Sequence, residues 1–268
     1  MSLSFNHGNI LGKPGGKKLR PFFSYYGGKW RAAPRYPSPT HKVLVEPFAG
    51  AAGYALRHPH LKVILVDKNP KVVSTWRYLI GVSERELRYL PDLPVGATTG
   101  DLKVCDEAKL LIGWWLNKGT AAPRKSPSSN MRKSLSGENP KDPPSGWWGA
   151  AIRERLATQV EYIRHWEVLE GDYTCAPDVG ATWFVDPPYI SAGKYYAAKY
   201  NSKGLDYERL GQWCRTRKGQ VLVCENDGAD WLPFRTFGTF KANEGRSGGK
   251  RTVEVLWESP QREGVKTC

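Results

Sequence analysis

The chain has 268 residues, 40% hydrophobic and 12% aromatic, enough for one large α/β domain with an elaboration or for two small domains. Its net charge is +14, and seven cations, Lys13, Lys17, Lys18, Arg20, Lys29, Arg31 and Arg35, stand within the first 35 residues with no acid among them, so a polyanionic partner is expected and nucleic acid first. No apolar run nears the ~20 residues of a bilayer span, no signal-peptide core is visible, and the five cysteines include no C-x-x-C pair, so a cytoplasmic protein with no disulfide framework and no membrane partner is expected.

Residues 1–20 are rich in Gly and Lys and read as a loosely ordered basic N-terminus. Lys42–Glu46 reads as a buried strand, followed by the small-residue turn Pro47-Phe48-Ala49-Gly50-Ala51-Ala52-Gly53 and a short helix. Leu61–Asp67 is the next strand, and Asn69-Pro70 opens a helix to about Ile80, with Asn as cap and Pro in the first turn. Strand, small-residue turn, helix and a strand ending in an acid make a βαβ unit. Helices are expected at 83–90 and 105–117, and from about Gly149 to Trp166, where Ile152, Leu156, Val160 and Ile163 recur at helical spacing. Between them, 117–146 is dense in Lys, Arg, Pro, Ser and Gly, contains the cluster Lys118, Arg124, Lys125, Arg132, Lys133 and Lys141, and reads as a functional or disordered loop. The α/β pattern resumes with Val168-Leu169, the strand Ala181–Val185, a helix over Leu205–Arg217 and the strand Gln220–Cys224. Phe234–Lys241 and Arg251–Trp257 read as an antiparallel terminal pair beside a third basic cluster, Lys241, Arg246, Lys250 and Arg251.

Three places carry chemistry. The strand Ala181–Val185 ends in Asp186-Pro187-Pro188-Tyr189. Proline fixes φ and has no N–H, so neither ladder nor helix continues there. An acid, a carbonyl and an aromatic ring then meet at one point, which suits the exocyclic amine of a flat base; the bland alternative is a Pro-rich turn. The turn Glu46–Gly53 lets backbone approach a ligand, and Asp67 lies about 20 residues beyond Glu46, where dinucleotide-binding folds place the acid that takes ribose hydroxyls. The glycine spacing is not G-x-G-x-x-G, so a nucleoside without phosphates, such as S-adenosylmethionine, fits better than a pyrophosphate, with simple tight packing as the alternative. Third, Tyr25-Tyr26-Gly27-Gly28-Lys29 offers a cation for the carboxylate of a bound amino acid, or else is a solvent-exposed turn.

Together with Gly171-Asp172-Tyr173, these motifs occur in the order seen in Dam-like DNA adenine-N6 methyltransferases, which the chain resembles over roughly Pro21 to Trp257. The resemblance implies a Rossmann-like methyltransferase sheet, mostly parallel with an antiparallel C-terminal hairpin, plus a small mainly helical target-recognition insertion. It implies a catalytic domain of 21–75 and 166–268 around a target-recognition region at 76–165. Tyr25 and Lys29 would meet the methionine end of S-adenosylmethionine. The turn Glu46, Pro47, Phe48, Ala49 and Gly50 would cradle it, Asp67 would hold its ribose, and Asp172 and Tyr173 would flank its adenine. Asp186, Pro187, Pro188 and Tyr189 would hold a flipped-out adenine of double-stranded DNA. No metal and no obligate protein partner are implied, though a cognate restriction enzyme fits the family. Trp114, Trp115, Trp147 and Trp148 are expected mostly to pack the small lobe, with an intercalating wedge as the alternative. Cys224-Glu225-Asn226-Asp227 departs from the family, which often carries a smaller polar pair there. The rivals are an N4-cytosine methyltransferase, which solves the same amine problem, a methyltransferase acting on protein glutamine or RNA, where Asn at the place of Asp186 is more usual, and a catalytically inactive DNA-binding homologue. A C5-cytosine enzyme is excluded by the lack of a Pro-Cys nucleophile.

Overall fold

The computed structural model describes residues 18–138, 144–190, 204–241 and 251–260. Seven strands form one sheet: β1 (Val43–Glu46), β2 (Lys62–Asp67), β3 (Glu167–Glu170), β4 (Ala181–Val185), β5 (Gly219–Asn226), β6 (Arg235–Lys241) and β7 (Arg251–Glu258). Their order across the sheet is β3-β2-β1-β4-β5-β7-β6. The first five run parallel, whereas β7 lies antiparallel between β5 and β6. This is a Rossmann-like α/β sheet, mostly parallel with antiparallel C-terminal strands. The chain moves from β1 outward to β2 and β3, then returns to place β4 on the other side of β1. That reversal opens a crevice at the carboxyl ends of β1 and β4, where open α/β sheets bind ligands.

Side-chain alternation explains why the central strands are apolar throughout. Leu44, Val63, Leu65, Phe184 and Leu222 enter one core, whereas Val45, Ile64, Val66, Trp183, Val185 and Val221 enter another on the opposite face. Both faces are covered, so period-two polarity is lost and the strands read as continuous hydrophobic runs. The first face is covered by α1 (Pro70–Gly81), by the N-terminal segment with Phe22 and Phe23, and by the helices that follow; the second carries α6 (Tyr207–Thr216). Helix α1 starts as its sequence dictates: Asn69 Oδ1 accepts the Lys71 N–H at 3.1 Å and Pro70 takes the first position.

Between α1 and β3 the chain forms α2 (Glu84–Tyr89), α3 (Asp106–Trp115), α4 (Ser129–Leu135) and α5 (Ala150–Val160). Trp114, Trp115, Trp147 and Trp148 are all buried here, so the intercalating wedge is ruled out for them and packing is their role. Indole N–H groups of three are satisfied internally: Trp114 by Thr75 Oγ1 at 3.0 Å, Trp115 by the Phe22 carbonyl at 2.9 Å, Trp148 by the Pro91 carbonyl at 2.8 Å.

Three expectations need correction. Of the expected loose N-terminus, residues 1–17 lie outside the described residues, but Leu19 and Arg20 are anchored. Leu19 is fully buried and bonds the Leu56 carbonyl, and the Arg20 N–H reaches Gln159 Oε1 at 3.0 Å. The 117–146 stretch, read as a disordered or functional loop, is folded over most of its length. Arg124 N–H bonds the Gly113 carbonyl, Ser128 N–H bonds the Leu116 carbonyl, and Ser128 caps α4, whose Met131 and Ser134 are buried. A Cβ at Gly113 would stand 2.6 Å from the Arg124 carbonyl, so glycine there admits the segment against α3. Apolar anchors this sparse leave no periodic signal in the sequence. Residues 139–143, with Lys141, and residues 242–250, with Arg246 and Lys250, lie outside the described residues. The short helix expected after Gly53 is a single 3-10 turn, Ala55–Arg57, ahead of Pro59, and a proline disfavours helix in the residue before it.

Candidate functional site

The crevice between β1 and β4 is a cavity of about 220 Å³. Tyr25, Lys29, Glu46, Pro47, Phe48, Ala49, Gly50, Asp67, Asp172, Tyr173, Asp186 and Pro188 all line it. Pro187 and Tyr189 are not among its lining residues. Motifs separated by about 160 residues of chain thus share one space, because β1, β2 and β4 all end on the same edge of the parallel sheet and the segment before β1 folds over it.

The floor is the turn after β1, stitched to the tip of β2. The Ala49 N–H bonds the Val66 carbonyl at 3.0 Å, and the Gly50 N–H bonds Asp67 Oδ2 at 2.8 Å. Asp67 Oδ1 accepts the Asn69 N–H at 2.8 Å. Burial pushes the Asp67 carboxyl up to about 6, against the opposing pull of those two amides. Gly50 has φ +45, and a Cβ there would lie 3.1 Å from the Tyr25 ring, so the glycine serves both the left-handed turn and the close approach of Tyr25. Glu46 is 2% exposed. Its Oε1 accepts the Ala55 N–H at 2.6 Å, and burial carries its carboxyl up to about 8, further than its amide bonds pull it back.

The far end of the cavity is aromatic. Tyr173 stacks on Phe48 with centroids 5.8 Å apart and meets Trp213 edge-on at 5.1 Å. Asp172 stays solvent-exposed and accepts the Thr174 N–H at 2.8 Å and its hydroxyl, which hold its carboxyl below the usual range. The Gly171 N–H bonds the Asp67 carbonyl at 3.0 Å, so this loop is tied to the same strand tip as the floor.

At the near end, Lys29 Nζ stands 2.8 Å from Asp186 Oδ1, donates to the Gly27 carbonyl at 3.1 Å, and sits 4.7 Å above the Tyr189 ring. Gly53 makes this possible: a Cβ there would be 2.5 Å from the Trp30 nitrogen. Burial alone would lower the Lys29 pKa, but the carboxylates of Asp186 and Glu254 reverse that and raise it. Burial pushes Asp186 upward, with Lys29 pulling the other way. The sequence assigned Lys29 to a ligand carboxylate and the Tyr189 ring to a base. In this structure Lys29 is paired with Asp186 and covers that ring.

Lys68, Asn69, Phe184, Leu205, Asp206 and Arg209 also line the cavity and were missed. Lys68 and Asn69 follow the strand-terminal acid directly, a signal that adjacency alone could have given. Arg209 is brought in by the first turn of α6, and nothing local in the sequence marks it. Among the described residues no group of His, Cys, Asp and Glu suits a metal ion, and no helix is long and apolar enough to cross a membrane.

The sequence matches no protein-family model and no curated protein. Among solved structures, the chain is similar to the rRNA methyltransferase aviRa from Streptomyces viridochromogenes, at 15% identity over 85% of this chain and 80% of that one, with a TM-score of 0.36. A conserved hypothetical protein from Streptococcus pyogenes is 11% identical over 80% of this chain and 84% of that one, with a TM-score of 0.30.

Proposed function

We propose that this protein transfers the methyl group of S-adenosylmethionine to the exocyclic N6 of an adenine flipped out of duplex DNA. The observation that carries the reading is the shared cavity: the acceptor Asp186 forms one wall of the space whose floor is the Glu46–Gly50 turn and Asp67. The donor set fits S-adenosylmethionine. Buried Glu46 suits its ammonium, Asp67 its ribose hydroxyls, Phe48 and Tyr173 its adenine face, and Asp172 the edge of that adenine. When bound, this cofactor supplies a methyl group already activated on sulfur.

The chain's own residues would then prepare the nucleophile. An adenine amine is weak because its lone pair is delocalised into the ring. Asp186 and the Pro187 carbonyl, accepting its two hydrogens, favour a tetrahedral nitrogen and free that pair. A carboxylate with an ordinary pKa of ~3.9 is too weak a base to strip a neutral amine, so the proton leaves after methyl transfer, when nitrogen is cationic. The entering amine displaces the Lys29 ammonium from Asp186, and Lys29 is then available to a ligand carboxylate. The target must leave the stack to reach this corner.

DNA as the substrate is supported by charge. From Ala108 to Gly137 the chain holds six cations and no acid, and Lys118, Arg124, Lys125, Arg132 and Lys133 are exposed. The segment reaches the site: the Tyr26 N–H bonds the Thr120 carbonyl at 3.0 Å and the Gly119 N–H bonds Ser24 Oγ at 2.9 Å. Incubation with labelled S-adenosylmethionine and unmethylated duplex DNA, followed by nucleoside analysis, tests the reading. Label in N6-methyladenine is expected. Label in N4-methylcytosine would move the substrate to cytosine, and tight DNA binding with no label would overturn the enzymatic reading.

A further inference from the structure

The Asp186–Tyr189 corner has an unusual mechanical problem. Pro187 and Pro188 have no N–H, so the chain leaves β4 without ladder bonds through those residues to hold it. Its geometry must be set through groups such as the Pro188 carbonyl and the amide of Ile190, the residue just past the corner. Both handles are taken from outside the corner. The Tyr207 hydroxyl, on the first residue of α6, donates to the Pro188 carbonyl. The Ile190 N–H reaches Glu225 Oε2, on β5, at 3.4 Å.

Both partners are themselves fixed. Glu225 is 1% exposed, and its other oxygen accepts the Asn226 N–H at 2.8 Å. The Tyr207 ring lies 5.6 Å from that of Trp231, and Asp206 caps α6 by accepting the Arg209 N–H at 2.9 Å. Asp206 and Arg209 line the cavity, so the turn that grips the corner also borders the space proposed for the cofactor.

We infer that Tyr207 and Glu225 are positioning residues that clamp the amine-holding corner from two sides, fixing the acceptor Asp186 relative to the cavity. The inference rests on the methyltransferase reading above. It also gives a role to the departure at Cys224–Asp227: a carboxylate there spans to the corner where a smaller polar residue would fall short.

The test compares Tyr207→Phe, Glu225→Gln and Glu225→Ala in methyl transfer, with S-adenosylmethionine affinity measured by calorimetry. Tyr207→Phe keeps the ring against Trp231 and removes one hydroxyl; kcat is expected to fall about 10- to 100-fold, the scale of a misplaced reacting group, with cofactor affinity changed less than about twofold. Glu225→Gln retains an acceptor for Ile190 and is expected to stay within about threefold of the natural protein, whereas Glu225→Ala falls with Tyr207→Phe. An unchanged kcat in Tyr207→Phe, a parallel loss of cofactor affinity, or equal damage from Gln and Ala would overturn the clamp. Hydrogen exchange of the Tyr189 and Ile190 amides judges it without any activity: faster exchange in Tyr207→Phe supports it, and unchanged exchange overturns it. A natural protein that transfers no methyl group would instead sink the functional reading, leaving that exchange result to decide the clamp.

Discussion

Glu46→Gln makes the buried carboxyl of the cavity floor measurable. In the folded protein Glu46 keeps its proton up to about pH 8, whereas its ordinary value is 4.5. Between those limits the folded state binds more protons than the unfolded chain, so this group's contribution to stability falls as pH rises through the window. Glutamine imitates the protonated form and keeps an oxygen for the Ala55 N–H, so it should cost little at low pH. Going from pH 6 to pH 8 the natural protein should lose about 2 kcal/mol relative to Glu46→Gln, from the difference in ionisation of the two states. For a chain of this size that corresponds to roughly 4–8 °C in Tm. Asp67, pushed to about 6, and Glu225, pushed to about 7, share the same sign, so the comparison must be between the two proteins at each pH. Thermal unfolding of both at pH 6, 7 and 8 is the assay. A difference that stays constant across those pH values would refute a buried, proton-retaining Glu46.

Other perturbations separate the parts of the site. Asp186→Ala should reduce methyl transfer by on the order of 100-fold or more while leaving S-adenosylmethionine binding within about threefold, checked by turnover and calorimetry. Asp67→Ala removes the acceptor that pins Gly50 and should weaken cofactor binding by about 1–3 kcal/mol. Gly53→Ala should destabilise the fold by about 1–3 kcal/mol, read by urea unfolding, because the added methyl meets the Trp30 backbone. Replacing both Lys125 and Lys133 by Ala should lower the slope of log K against log salt for DNA binding by about 2, with kcat at saturating DNA unchanged.

Much of this was legible in the sequence because it is local. Strand limits, the Asn69 cap and the motif-bearing turns depend on neighbours a few residues away, and the parallel sheet then carries three strand tips to one edge. What stayed hidden depends on distance in the chain. Arg209 and Asp206 enter the cavity only because α6 docks on the second face, and Tyr207 meets Pro188 across 19 residues. The pairing of Lys29 with Asp186 needs the N-terminal segment folded over Gly53, a contact no spacing encodes. The 117–146 segment was misread for a related reason: its order rests on backbone bonds to α3 and on a few buried side chains, not on an amphipathic repeat. The order of β6 and β7 was also invisible, since a hairpin pattern does not say which strand joins the sheet.

That order has a consequence for synthesis. Strand β7 occupies the slot between β5 and β6, so the sheet cannot close until residues 251–258 have left the ribosome. Until then β5, with its run Val221-Leu222-Val223-Cys224, presents an open edge able to template association with other chains. A chain cut short before Arg251 should therefore accumulate as aggregate instead of as a smaller folded protein, and β7 acts as the cover that ends this exposure.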